Sequence, residues 1–347
     1  MNLSTYSRRP KTFIALLLIA SLMLSVTGGA VDVSHRDWLA PWYRDSDNPL
    51  GGSAYVLWEI RLPRILFSLL IGAALGLCGT LTQGLFRNPL ADPGLLGISS
   101  GAACAAALTI VFLARSGINI PFEWRFAILP VAAFTGAVGV CLTLDRVAHW
   151  ITADSLAGLL LTGIALNALA GAIIGLCTYV ATDEQLRSLT FWTLGSVAGA
   201  SWGLVSALAV LLGWAFWFAH RSLSALNALA LGEAVAGHVG VEVRQLRTRI
   251  VVLVALVSGF AVAWCGIIGF IGLIAPHIVR SVLGADHRRV APYSMGIGAL
   301  LLLWADTAAR TLAVPAEIPV GIFTSLLGAP FFLVLLLSFR NGARHAG

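Results

Sequence analysis

Chemistry in a protein needs a nucleophile with its base, a cluster of metal ligands or a cradle for phosphate. A P-loop requires a lysine after glycine to reach the β and γ phosphates, but Lys11, the only lysine, follows Pro10. No HExxH-type spacing or nucleophile–base set occurs. Cys78, Cys104, Cys141, Cys177 and Cys265 all fall inside apolar runs without ligand spacing, so they read as small buried residues and leave the redox compartment undecided. What remains is a scatter of polar residues inside apolar runs: Gln83, Thr162, Asn167, His277 and Asp306. In hydrocarbon such groups are costly, so each either hydrogen-bonds between helices or lines a water-filled path. Thr162 and Asn167 are the pathway candidates. Asp306 stands one turn before Arg310, which predicts an i, i+4 ion pair instead of a proton relay.

The elements that must position these residues are set by hydropathy. Of 347 residues 58% are apolar and 11% charged, with mean hydropathy +0.89, whereas soluble domains carry about a quarter charged residues. The chain therefore reads as an all-α polytopic membrane protein. A crossing helix needs roughly 20 apolar residues, which places about ten spans: 12–30, 62–84, 95–114, 126–146, 155–179, 197–219, 249–267, 269–283, 291–311 and 322–339. The eighth looks short, with Gly266, Gly269, Gly272 and Pro276 interrupting its surroundings. The first, preceded by Arg8, Arg9 and Lys11, also has the outline of a cleavable signal peptide; a retained helix is the expectation. Glycines at 72, 76 and 79, and small residues at 158, 163, 168, 171 and 175, suit close helix packing.

The net charge of +6 comes from arginines scattered in ones and twos, unlike a nucleic-acid-binding face. Most of the 22 Lys and Arg fall on one side if both termini are cytoplasmic. That side includes Ser224–Arg249, the longest polar interruption of the second half. Ala225 to Ala236 predicts a helix, with turns at Gly237 and Gly240. A structured loop on a chain without a nucleotide site is a place where a separate ATP-hydrolysing subunit would push. Arg61, Arg64 and Arg310 lie on the opposite side, at the ends of spans, where the charge rule disfavours them.

GTLTQGLFRNPLADPGLLGISSGA (Gly79–Ala102) closely resembles the FecCD family of ABC-importer permeases. RLPR (Arg61–Arg64), FWTLGS (Phe191–Ser196), LGEAVAGHVGV (Leu231–Val241), GFIGLIAPHIVR (Gly269–Arg280), GADHR (Gly284–Arg288) and PAEIPVGIFTSLLGAPFF (Pro315–Phe332) resemble further signatures of that family, in its order. The resemblance covers the chain from about residue 55 onward. It implies a type II ABC-importer permease fold in one transmembrane domain, 1–347, working as a homodimer in the bacterial inner membrane. It also implies two ATP-binding subunits carrying ATP and magnesium, and a periplasmic binding protein, with no cofactor or metal in this chain. The blocks look most like haem permeases; ferric-siderophore and cobalamin permeases carry similar ones. By the same resemblance, Gly232, Glu233, Ala236, Gly240 and Val241 of the 224–249 loop match the segment that couples to the ATPase. Asn88, Leu90, Ala153, Asp154 and Ser155 match the cytoplasmic gate. Arg61, Arg64 and Arg310 match sockets for acidic residues of the binding protein. A proton-coupled secondary transporter is the alternative from another class, with Asp306 as its one intramembrane carboxylate.

Overall fold

The computed structural model describes residues 3–29, 31–43, 52–113, 121–152 and 156–345, and among them there is no strand. Helices follow one another along the chain: α1 (Leu3–Thr27), α2 (His35–Leu39), α3 (Gly52–Tyr55), α4 (Leu62–Phe86), α5 (Ile98–Leu108), α6 (Phe122–Thr152), α7 (Leu156–Val180), α8 (Asp183–Leu194), α9 (Trp202–Ala230), α10 (Glu233–His238), α11 (Val243–Cys265), α12 (Ile271–Leu283), α13 (His287–Thr311) and α14 (Val320–His345). A π-helical stretch, Val56–Arg61, joins α3 to α4 without a break, and another, Thr109–Leu113, extends α5. Among the described residues six helices are long and apolar enough to cross a membrane, and shorter apolar helices stand at 12–27, 98–113, 271–283 and 320–335. These occupy the places of the expected spans. With 13 residues, α12 reaches only about 20 Å, short of a hydrocarbon core of roughly 30 Å.

The bundle is built around α4. Within its most apolar stretch 83% of residues are buried, against 17% for α7. In lipid no hydrophobic force separates helix from solvent, so helices must gain contact by approaching closely. Glycine makes that possible here. A methyl group on Gly72 would sit 2.2 Å from the Gly298 carbonyl oxygen of α13, and one on Gly76 2.2 Å from that of Ser294. One on Gly79 would meet the Gly272 oxygen of α12 at 1.8 Å. The same expectation fails for part of α7: Gly163 is pressed against the Leu95 carbonyl, but Gly171 and Gly175 have open space beside them. Their helix lies at the edge of the chain, where this chain supplies no neighbour.

Three boundaries differ from the sequence reading. The sixth span begins at Trp202, where the Ser201 hydroxyl caps the helix by accepting from Leu204 N, and it continues to Ala230 because Arg221, Ser222 and Asn227 carry it beyond the apolar zone. The stretch from Ala225 to Ala236 is therefore not one helix. Its first half ends α9, and Gly232, at φ +119°, breaks the chain before α10. Finally, α8 was not expected at all. Its signature was the box Thr182-Asp183-Glu184-Gln185, in which Thr182 Oγ1 accepts from Gln185 N and the Gln185 side chain accepts from Thr182 N.

The glycine contacts define a test. Gly72→Leu should abolish recovery of monodisperse protein in detergent, since overpacking costs about 1–3 kcal/mol even where neighbours can move and backbone cannot. Gly171→Leu should leave the yield and thermal unfolding unchanged.

Candidate functional site

At one end of the bundle α9 gives way to a short, exposed helix. Leu231 ends α9, Gly232 turns the chain, and α10 follows with Glu233 at its N-terminal turn, where a negative charge suits the helix dipole. Gly240, at φ +84°, reverses the chain, and Val241 N donates to the Ala236 carbonyl at 2.9 Å, closing the segment before α11. Both Gly232 and Gly240 have open space where a side chain would project. Leu231, Val235 and Val239 are exposed beside them, Leu231 at 74%. Ala236 differs from the expectation: it is fully buried in this chain's own core, so it seats the helix and cannot touch a partner.

Glu233 lies 3.9 Å from Arg87 and 3.8 Å from Arg247, so its carboxylate is shared by two arginines of its own chain. At these distances and with Glu233 largely exposed, each contact is worth a fraction of a kcal/mol; its importance is in what it joins. Arg87 is the left-handed C-cap of α4, and the turn after it carries Asn88 and Leu90. Asn88 Oδ1 accepts from Leu90 N at 2.9 Å, and Ala91 N donates to the Asn88 carbonyl at 3.1 Å, fixing a tight turn. Leu90 then lines a narrow apolar cleft with Phe270, His277 and Phe331 of the α12–α14 region. Ala153, Asp154 and Ser155 lie outside the described residues.

A second polar network at this end was missed by sequence reasoning. Asn227 Nδ2 donates to Asp286 Oδ1 at 2.7 Å, and the Asn227 side-chain oxygen accepts from His287 N at 2.9 Å. Arg288 Nε donates to Ser224 Oγ at 2.9 Å. The Asn227 amide, followed by the Arg288 backbone N–H and nearby arginines, holds the Asp286 carboxyl below the usual carboxylate range. Asp286 caps α13, and so the GADHR motif ties α13 to the end of α9 just before the exposed helix.

At the opposite end the three arginines are not free surface charges. Arg64, 8% exposed, donates from Nε and Nη2 to Asp306, at 2.8 Å for the shorter bond, and from Nη1 to both oxygens of Glu317 at 2.7 and 2.8 Å. Arg61 is buried and donates to the carbonyls of Val26 and Val31. Arg310 donates to the carbonyls of Gly28 and Ser25 and to Ser25 Oγ. Arg61 and Arg310 thus satisfy carbonyls at and beyond the C-terminal end of α1, which a helix cannot satisfy itself. The expected Asp306–Arg310 pair exists at 3.9 Å but is secondary to Arg64. Glu317, whose side chain is 48% exposed, was not singled out in the sequence; its only signal was its place in PAEIPVG.

Thr162 gives its hydroxyl to the Gly158 carbonyl of its own helix at 2.8 Å. Asn167 accepts from Ser100 Oγ, bridging α7 to α5. Both therefore have hydrogen-bonding partners within the bundle. No group of three or more His, Cys, Asp or Glu that would hold a metal occurs among the described residues, and all five cysteines are free, four of them buried.

A bundle of membrane-length helices with an exposed, glycine-flanked helix at one end has the build of a membrane permease. The chain belongs to the FecCD transport family, whose model matches residues 17–338. It is 42% identical to the hemin transport system permease protein HmuU of Yersinia pestis, over 98% of this chain and 99% of that one. It is 38% identical to the vitamin B12 import system permease protein BtuC of Klebsiella pneumoniae, over 96% and 95%. Its fold matches a solved structure described as a metal-chelate type ABC transporter in an inward-facing conformation, with a TM-score of 0.79 and 32% identity over 95% of this chain and 99% of that one. It is a multi-pass inner-membrane permease of the ABC-importer type.

The buried ion pair yields a prediction. Arg64→Leu leaves Asp306 charged and fully buried, which should destabilise the protein by about 3–5 kcal/mol in detergent unfolding. Arg64→Leu with Asp306→Leu should recover much of that loss, whereas a purely exposed surface pair would show no such rescue.

Proposed function

We propose that this permease carries haem from a periplasmic binding protein across the inner membrane, as one of two identical copies driven by two separate ATP-binding subunits. The likeness to the hemin permease over nearly the whole chain supports the cargo, and the exposed helix α10 supports the coupling. In this reading both termini lie in the cytoplasm, which the gathering of most arginines on that side supports. ATP and magnesium belong to the partner subunits. The likeness to the vitamin B12 permease supports a second reading, cobalamin, and a ferric siderophore is the third chelate that such a pathway would suit.

In this reading Leu231, Val235 and Val239, with Gly232, Gly240 and Val241, form the surface that meets the ATPase. Glu233 and Arg87 link that surface to the Asn88–Leu90 turn of the cytoplasmic gate, for which Ala153, Asp154 and Ser155 remain candidates. Thr162 and Asn167, both half-buried, stay pathway candidates. Docking of the binding protein through Arg64 requires an incoming carboxylate to replace Glu317, whose half-exposed side chain permits exchange. A proton-coupled mechanism is disfavoured because Asp306, its one intramembrane carboxylate, is held by Arg64 with Arg310 nearby.

Proteoliposomes holding this protein with an ATPase and a binding protein should take up haem on ATP addition, in preference to cobalamin and a ferric siderophore offered in parallel. Uptake that ignores ATP and follows a proton gradient would refute the proposal. Gly240→Ala and Gly240→Trp both strain a left-handed position by about 1–2 kcal/mol, but only the tryptophan adds bulk at the ATPase surface. It should abolish uptake while ATP hydrolysis continues, and equal uptake by the two variants would count against the coupling role. Asn88→Cys should crosslink between the two copies in at least one nucleotide state, and silence in every state would remove Asn88 from the axis.

A further inference from the structure

Each of the three arginines at the end opposite α10 is already occupied, but by acceptors of different kinds. Arg61 and Arg310 donate to main-chain carbonyls at and just beyond the end of α1, so neither turns away without stripping donors from that helix end. Arg64 is held from two sides. Its Nε and Nη2 donate to Asp306, which is fully buried and also lies 3.9 Å from Arg310. Its Nη1 gives both hydrogens to Glu317, at 2.7 and 2.8 Å. Asp306 cannot be exchanged, because without its arginine it would be an unpaired charge in the interior. Glu317 can be: its side chain is 48% exposed, and an ion pair open to water is weak.

The backbone just after Glu317 is fixed. Ile318 N donates to the Ala309 carbonyl of α13 at 3.1 Å, and Val320, the first residue of α14, is 2% exposed. Gly321 follows, so close to the Leu194 carbonyl at the end of α8 that a methyl group on it would stand 2.2 Å away. Release of Arg64 Nη1 therefore takes only the rotation of one side chain, with the start of α14 left in place. What that rotation uncovers is a seat whose chemistry Glu317 itself demonstrates, since both of its oxygens stand within hydrogen-bond distance of Nη1. A carboxylate arriving from outside the chain meets that seat filled, with a like charge in front of it.

We propose, on the reading that Arg64 receives an acidic residue of the binding protein, that Glu317 is a built-in competitor for that residue. In the undocked permease Glu317 keeps both Nη1 hydrogens satisfied. On docking its carboxylate swings to solvent and the partner's carboxylate takes its place. One ion pair is exchanged for another of the same kind, so the contact fixes the position of the partner while adding little to its affinity. Glu317 thereby holds docking loose and reversible.

The test is binding of the cargo-free binding protein of the uptake assay to the permease with its ATPase in nanodiscs, across a salt series. Glu317→Gln and Glu317→Ala both remove the competing charge, and each should tighten docking roughly threefold, the fold-change that a half-exposed ion pair supports. The gain should shrink as salt rises. Arg64→Lys keeps a charge beside Asp306 but has no second arm for Glu317. It should weaken docking, and in that background Glu317→Gln should change nothing. Docking that falls with salt and in Arg64→Lys, yet is unchanged or weaker in both Glu317 variants, would overturn the competitor and leave the docking role of Arg64 standing. Equal tightening by Glu317→Gln with and without Arg64→Lys would also overturn it, since the charge would then act on the approaching protein at large and not through Arg64. Docking that ignores both salt and Arg64→Lys would remove the docking role, and the competitor with it.

Discussion

At the crossing of α4 and α13 each helix presses a carbonyl oxygen against a glycine of the other, Gly72 on Gly298 and Gly298 on Gly72. Helices in lipid have little else to hold them, because the surrounding tails are as apolar as their side chains. The two backbones therefore approach until dispersion contacts are continuous, and any side chain at these positions would force them apart. Arg64 and Asp306 join the same two helices nearer the end opposite α10. Taking two charges out of water costs several kcal/mol per ion, so such a pair adds little net stability. It acts instead on register, since a slip of α13 along α4 would strand both charges.

Because α4 is held so firmly, its ends become reference points. Its N-terminal end clasps α1 through Arg61, while Arg310 of α13 takes the neighbouring carbonyls. Its C-terminal end stops at Arg87, whose left-handed backbone turns the chain sharply into the Asn88–Leu90 turn. Arg87 also reaches Glu233 of α10. The exposed helix is thus in contact with the end of the most buried of the six membrane-length helices, through a weak and largely solvent-facing ion pair. The Asn227–Asp286 bond ties α13 to the end of α9, a few residues before the same helix.

The periphery is organised differently. In α6, α7 and α9 fewer than a third of the residues in the apolar stretch are buried within the chain. Leu161, Ile164, Leu169 and Leu176 point outward from α7. Surfaces of this kind are stable only against lipid or another apolar protein face. The open space beside Gly171 and Gly175 lies on one of these outer helices.

The sequence by itself determined the class, the approximate positions of the apolar helices and the close-packing role of Gly72, Gly76 and Gly79, because hydropathy over some 20 residues and the absence of a side chain are local properties. The motif from Leu231 to Val241 likewise marked the exposed helix. Only the tertiary structure decided what the charged residues do. Arg64 finds Asp306 and Glu317 more than two hundred residues away, and no local pattern encodes such a pairing. The i, i+4 neighbour Arg310, visible in the sequence, proved the weaker partner. Ala236 was legible as small but not as buried, and Gly232 was legible as flexible but not as the end of α9. The reason is the same in each case: burial and partnership depend on which elements pack together, and that follows from the backbone contacts of α4 with its neighbours.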